Sequence, residues 1–396
     1  MVTSAYIHIP FCEKLCHYCD FTKFFYDEQM ADEYLIALEK EISTAIQQPG
    51  KKMKTIFVGG GTPTALNNRQ LLKLVKMIAT YYDLSNIEEY TFEANPGDLT
   101  KEKIDILASH GVNRISMGVQ DFNDEMLEKL GRLHRVKDVY QNVNDLQNAG
   151  ITNISIDLMF SLPNQTMEHF SKSLEEALSF KLPHYSAYSL QIEPKTVFYQ
   201  RYKKGTLTKP PEEVEADMYA LLRQRMNEEG RNQYEISNFA ITGYESKHNL
   251  TYWNNEYYYG FGAGASGYLP GYRTINIRPF PAYVKEAEAS GKPVLYTDKI
   301  TKKERMEEEM FLGLRKSEGV SLSLFQTKYL INPNEIFRET FKKLTQRGWL
   351  EQRGDFVRLT EEGKPFGNEV FQEFLLDEEV WEQLTKDKKG FLSDKK

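Results

Sequence analysis

The chain has 396 residues, 40% hydrophobic and 27% charged, long enough to bury a large core and too long for one average domain. A mean hydropathy of −0.56, with no uncharged apolar run near the ~20 residues that a spanning helix needs, excludes a transmembrane segment. Fifty basic residues against fifty-seven acidic ones leave a net charge of −7, which supplies no field for gathering phosphate backbones, so no nucleic-acid partner is expected.

Met1 to Phe11 shows no basic segment ahead of a long apolar stretch, and the expected location is cytoplasmic. Runs rich in β-branched and aromatic residues then alternate with longer amphipathic stretches, the pattern of repeated strand and helix units building a parallel sheet. The pattern predicts strands over Ala5–Ile9, Lys54–Val58, Glu89–Glu93, Arg114–Val119, Ile154–Met159 and Tyr185–Gln191, each followed by a helical stretch. The first helix, Asp27 to Ile46, repeats Tyr34, Leu35, Leu38, Ile42 and Ile46 at intervals of three and four, which buries one face on the sheet. Glycines at 50, 111, 150 and 230 close helices before the next strand. Six units are too few for an eight-unit barrel and suit a partial barrel or an open doubly wound sheet, both of which gather ligands at the strands' C-terminal ends.

After Gly230 the alternation stops, and Tyr234 to Pro281 is rich in glycine, asparagine and tyrosine without periodicity. From about Thr301 the chain reads as helices, then two short strands around the turn signal Arg353-Gly354-Asp355, a winged-helix-like arrangement. Residues 301–378 carry thirteen basic and fifteen acidic side chains, so a packing lid is expected rather than a DNA reader. The expected division is a core over 1–233, a connecting segment over 234–290, a small domain over 291–380 and a charged tail over 381–396 that frays from Lys386.

All three cysteines, Cys12, Cys16 and Cys19, fall in one loop just after the first strand. Soft sulfur donors at such spacing suit an iron–sulfur cluster or zinc. Zinc would take a fourth protein ligand, from His17, His8 or a distant residue. Gly59-Gly60-Gly61-Thr62 follows the second strand, where backbone can approach a ligand without interference from a Cβ, or simply turn. Glu93 ends the third strand as a carboxylate suited to ribose hydroxyls or to solvent, and Gln120 closes the fourth. Arg132 follows in Lys129-Leu130-Gly131-Arg132, and Asp157 lies within the apolar fifth strand, where it needs a partner such as an arginine to offset desolvation.

Cys-x3-Cys-x2-Cys after a first strand resembles the signature of the radical S-adenosylmethionine superfamily. That resemblance implies a partial (β/α)6 barrel and a [4Fe-4S] cluster on Cys12, Cys16 and Cys19. The fourth iron would take S-adenosylmethionine. The spacing of the remaining elements is similar to the HemN and HemW families of that superfamily along essentially the whole chain. On their pattern Tyr6, Gly60 and Glu93 match one S-adenosylmethionine site, and Gly61, Thr62, Gln120, Arg132 and Asp157 match residues that hold a second molecule. Asp20-Phe21 stands where HemN has a fourth cysteine, and with the cysteine loop starting at position 12 the extended N-terminal arm of HemN is not expected; both features resemble HemW.

The run His248-Asn249-Leu250-Thr251-Tyr252-Trp253 also resembles the HemW haem-binding pattern. The resemblance implies haem as ligand, a haem-acceptor protein and an electron donor as partners, and no coproporphyrinogen dehydrogenase activity. His248 is the expected ligand to haem iron, Tyr252 and Trp253 cover the porphyrin, and Tyr257, Tyr258 and Tyr259 are the alternative ligands. A histidine beside aromatics is equally consistent with plain packing. The segment is expected to close as a loop over the strand ends.

Overall fold

The computed structural model describes residues 2–379 and 381–382; the stretch from Lys386 that is expected to fray lies outside the described residues. Its frame is six parallel strands: β1 (Ser4–Ile9), β2 (Thr55–Gly60), β3 (Glu89–Ala94), β4 (Arg114–Gln120), β5 (Asn153–Phe160) and β6 (His184–Ser189). They lie side by side in chain order, each crossover carrying helix back over the same face, as parallel βα units do. The expected first helix runs Glu28–Ala45, with the Asp27 carboxylate accepting the Met30 N–H as its N-cap at 2.9 Å. Its Tyr34, Leu35, Leu38 and Ile42 are buried.

Along each strand the two faces differ. Tyr90 and Phe92 of β3, Ile115 and Met117 of β4, and Ile154 and Ile156 of β5 belong to the apolar core under the helices. The alternate positions, among them Glu89, Thr91, Arg114, Ser116 and Ser155, are buried but polar. Side chains alternate with a period of two, so the frame is a partial barrel with an apolar outside beneath the helices and a polar inside.

The segment expected to connect is instead part of the same sheet. Tyr258–Phe261 pairs parallel with β1, Ser4 opposite Tyr258 and Ile7 opposite Phe261. Ser266–Leu269, Tyr272–Asn276 and Val294–Lys299 then continue the sheet antiparallel. Its glycine content has a packing cause at Gly260, where a Cβ would stand 2.0 Å from the Ser266 carbonyl oxygen. Buried Glu41 of the first helix fastens this extension, accepting from Asn276 Nδ2 at 2.6 Å, the Tyr283 hydroxyl at 2.6 Å and the Gly262 N–H at 2.9 Å. Phe261, Phe280 and Tyr283 share the core of the barrel's helices.

Lys302–Gly313, Leu322–Tyr329 and Arg338–Gln346 are helices around a three-stranded sheet of Val320–Ser321, Phe356–Leu359 and Leu350–Arg353. Met310, Phe325, Phe337, Leu344 and Val370 give this winged-helix-like unit its own core. No helix among the described residues is long and apolar enough to cross a membrane.

Candidate functional site

The C-terminal ends of the barrel strands open on a cavity of about 440 Å³. Cys12, Cys16 and Cys19 line it together with Gly60, Gly61, Thr62, Glu93, Gln120, Arg132 and Asp157, so residues up to 145 positions apart in the sequence, Cys12 and Asp157, meet at one place. The cysteine loop is stapled to the glycine run: the Gly61 N–H donates to Ile9 O at 2.9 Å and the Thr62 N–H to Phe11 O at 2.8 Å. On its other side, the His17 N–H donates to Leu130 O at 3.0 Å. A Cβ on Gly61 would stand 2.8 Å from the Phe11 carbonyl oxygen and 3.0 Å from Cys12 Sγ. Backbone cannot yield there as a side-chain end does, so Gly61→Ala is expected to cost about 1–3 kcal/mol and to lower the iron retained after anaerobic reconstitution. Unchanged melting temperature and iron content would refute that steric account.

The donor chemistry fits a cluster. Burial pushes the Cys12 thiol up to about 12; the Thr62 hydroxyl opposes this, while Cys16 and Cys19 add to it. Cys12 therefore resists ionising without added positive charge, which bound metal supplies. Among the described residues no group of three His, Cys, Asp or Glu converges on one ion, whereas a cubane takes one thiolate on each of three irons and needs no such convergence. Arg132 Nη1 lies 3.3 Å from Cys16 Sγ, and its Nη2 donates to Asn95 Oδ1 at 2.9 Å and to the Gly118 carbonyl.

Carboxyl groups line the opposite wall. Glu93 Oε2 accepts the Gly60 N–H at 2.9 Å, yet burial outweighs that bond and, with Asp157 nearby, raises its pKa to about 7. Burial also raises the pKa of Asp157. Its partners are hydroxyls rather than the expected arginine salt bridge: Ser116 Oγ donates to both carboxylate oxygens at 3.1 Å and Ser155 Oγ to one at 3.3 Å. Arg114 acts on it only through its field. Gln120 holds a left-handed backbone with φ of 72°, a conformation costing a non-glycine residue about 1–3 kcal/mol, and β4 shifts register beside it.

Asn95, two residues after Glu93 in the Asn95-Pro96-Gly97 turn, is a cavity residue that the sequence motifs did not mark. Its Nδ2 donates to Thr62 Oγ1 at 2.9 Å, so it ties the glycine run to Arg132. Ser116 and Tyr188 also line the cavity; only the strand's period of two could have marked them.

Tyr6 faces a neighbouring hollow, shared with Gly60, Glu93 and Tyr252. Its hydroxyl is 2.9 Å from His8 Nδ1, while His8 Nε2 lies 2.8 Å from the Thr22 carbonyl. Because that carbonyl can only accept, Nε2 carries the His8 proton and Tyr6 donates to Nδ1.

His248 requires a correction. Its motif forms no loop over the strand ends; it is the helix Lys247–Trp253, and it plugs the opposite mouth of the barrel. Glu89 at the start of β3 accepts the Lys247 and His248 N–H groups at 2.8 and 3.0 Å. Ser4 of β1 meets Thr251 at 3.3 Å, and Thr55 of β2 lies 2.8 Å from His248 Nδ1. His248 Nε2 lies 2.8 Å from the Tyr252 hydroxyl, and the ring stacks on Phe57 with 5.3 Å between centroids. His248 is thus fully buried, with 0% exposure and both ring nitrogens within hydrogen-bond distance of the Thr55 and Tyr252 hydroxyls. The cavity lies at the far end of β2, about 17 Å away at 3.3–3.4 Å per residue. Tyr252 is held in the interior and Trp253 turns toward the C-terminal unit beside Arg315, so the two do not form one porphyrin-covering face.

Two family models match this chain: the Radical SAM superfamily over residues 6–177 and the HemN C-terminal domain over residues 300–366. Barrel, cysteine loop and strand-end cavity thus define a radical S-adenosylmethionine protein with a HemN-type C-terminal domain. The chain is 51% identical to the heme chaperone HemW of Bacillus subtilis (strain 168), covering 94% of this chain and 99% of that one. It is 45% identical to the heme chaperone HemW of Lactococcus lactis, covering 95% and 98%. The chain belongs to the HemW family. Among solved structures, coproporphyrinogen III oxidase (HemN) from Escherichia coli has a TM-score of 0.82 over 94% of this chain and 90% of that chain, at 23% identity, a likeness of fold.

Proposed function

We propose that the protein is a haem chaperone that binds haem and hands it to an acceptor protein, with a [4Fe-4S] cluster on Cys12, Cys16 and Cys19 and S-adenosylmethionine in the strand-end cavity. The observation that carries this reading is the near-full-length 51% identity to a relative named heme chaperone. When bound, cluster and S-adenosylmethionine supply one-electron chemistry, for which an electron donor is a further partner. The chain's own contribution is to position and shield. Gly60 and Glu93, with Tyr6 behind them, form one S-adenosylmethionine subsite; Gly61, Thr62, Gln120, Arg132 and Asp157 form the wall for a second. An anaerobic haem titration followed at the Soret band, on reconstituted protein, is expected to saturate. Absence of saturable binding would overturn the reading.

The second reading is coproporphyrinogen III dehydrogenase, favoured by the shared fold with HemN. Asp20-Phe21 stands where that enzyme's fourth cysteine would be. Under reducing anaerobic conditions with S-adenosylmethionine, no conversion of coproporphyrinogen III is expected, and sustained formation of protoporphyrinogen IX would reverse the assignment.

A further inference from the structure

A larger cleft, about 1210 Å³, lies between the C-terminal end of β6 and the C-terminal unit. Small-molecule sites typically enclose about 300–1,000 Å³ behind apolar and aromatic walls, with a few polar groups fixing orientation. Tyr188, Tyr199, Tyr202 and Tyr219 line this cleft, and Tyr188 and Tyr202 expose 42% and 54% of their surface. Tyr188 also lines the cofactor cavity, so the two spaces share a wall.

The cations of the cleft fall into two groups. Lys209 is paired with Glu215 at 3.0 Å and Lys364 with Glu361 at 2.6 Å. Arg315 and Lys316, adjacent on the chain, reach no carboxylate at ion-pair distance among the described residues, and Arg315 Nε is buried with no hydrogen bond. The last residue of the sequence motif and the one after it hold both: the Trp253 ring lies 4.6 Å from the Arg315 guanidinium carbon, and Asn254 Oδ1 accepts from Lys316 Nζ at 2.6 Å. Burial lowers the pKa of both cations, and it outweighs the opposing fields of Glu235 on Arg315 and of Glu318, Glu309 and Glu256 on Lys316.

We propose that this cleft is the tetrapyrrole site, with Arg315 and Lys316 receiving the two propionates and the tyrosines facing the macrocycle. The proposal rests on the haem-binding reading above. It gives the His248–Trp253 motif a positioning role: the buried half anchors the helix in the barrel, and the Trp253 end presents the two cations. A guanidinium and an ammonium held in place recognise carboxylates by charge-assisted hydrogen bonds, and an apolar plane gains from contact with the rings.

The test compares haem with haem dimethyl ester, whose propionates carry no charge, in the same mild detergent, on wild type, Arg315→Gln, Lys316→Gln and the double variant. Wild type is expected to prefer haem over the ester by about tenfold or more, each single variant to lose part of that preference, and the double variant to lose it while binding the ester as wild type does. Arg315→Lys should retain part. Wild type that binds both probes equally overturns the proposal even if the variants fail to fold. So do variants that keep the full preference; haem then binds elsewhere. Wild type that binds neither probe overturns the haem reading itself.

Discussion

Serine at Cys12, Cys16 or Cys19 is expected to abolish the iron–sulfur cluster. Wild type reconstituted anaerobically should carry about four irons and four sulfides per chain, and each single variant close to none, since a cubane already short of one protein ligand has no thiolate to spare. The cysteine loop keeps its shape through backbone bonds, Gly61 to Ile9 and Thr62 to Phe11, so the variants should melt within a few degrees of the apo wild type. Iron and sulfide analysis with electron paramagnetic resonance of the reduced protein checks this; added S-adenosylmethionine should perturb the wild-type signal. Because burial holds Cys12 as a neutral thiol up to about 12 and ligation releases its proton, iron uptake should strengthen as pH rises. A stable product with one zinc per chain, or full iron in any variant, would sink the assignment.

The parts of the molecule that were readable from sequence are those whose cause is local. The helix at 28–45 announces itself by its three-and-four spacing and by Asp27, whose carboxylate caps it. The strands at 114–120 and 153–160 follow from β-branched runs behind the glycine stops at 111 and 150, and the three sulfurs lie within one loop whatever the tertiary fold. Gly60, Glu93, Gln120, Arg132 and Asp157 reach one cavity because strand ends in a parallel barrel share one rim.

What stayed hidden depends on distant partners. Tyr258–Phe261 is a strand because β1, some 250 residues earlier, offers it an edge, and no local period marks that pairing. The polar lining of the barrel was present in the sequence as Glu89-x-Thr91-x-Glu93, but it reads equally as a strand facing solvent. The place of His248 is set by Ser4, Thr55 and Glu89, which are the first residues of three separate strands, so the motif's resemblance to a haem-binding pattern gave no sign that its histidine faces inward.

His248→Ala is expected to destabilise the fold by about 3–5 kcal/mol at pH 7, with little change in the Soret band of the folded, haem-loaded protein. The substitution removes the ring stacked on Phe57 and leaves the Thr55 and Tyr252 hydroxyls buried without their shared partner, and a cavity plus two orphaned polar groups accounts for a loss of that size. The pH dependence separates packing from ligation. Burial, and then the field of Arg114, lower the His248 pKa to about 3, whereas in the unfolded chain it titrates near the ordinary value of about 6.5. A depressed folded pKa means that the unfolded state takes up the proton first, so the stability contributed by neutral His248 is complete above pH 6.5 and is lost as pH falls toward 3. The cost of the substitution should therefore shrink by about 1.4 kcal/mol per pH unit below 6.5, read as the difference between wild-type and variant denaturation curves taken without haem. A histidine that served only as an iron ligand would show the reverse: a shifted Soret band, and a stability difference near zero at every pH in the absence of haem.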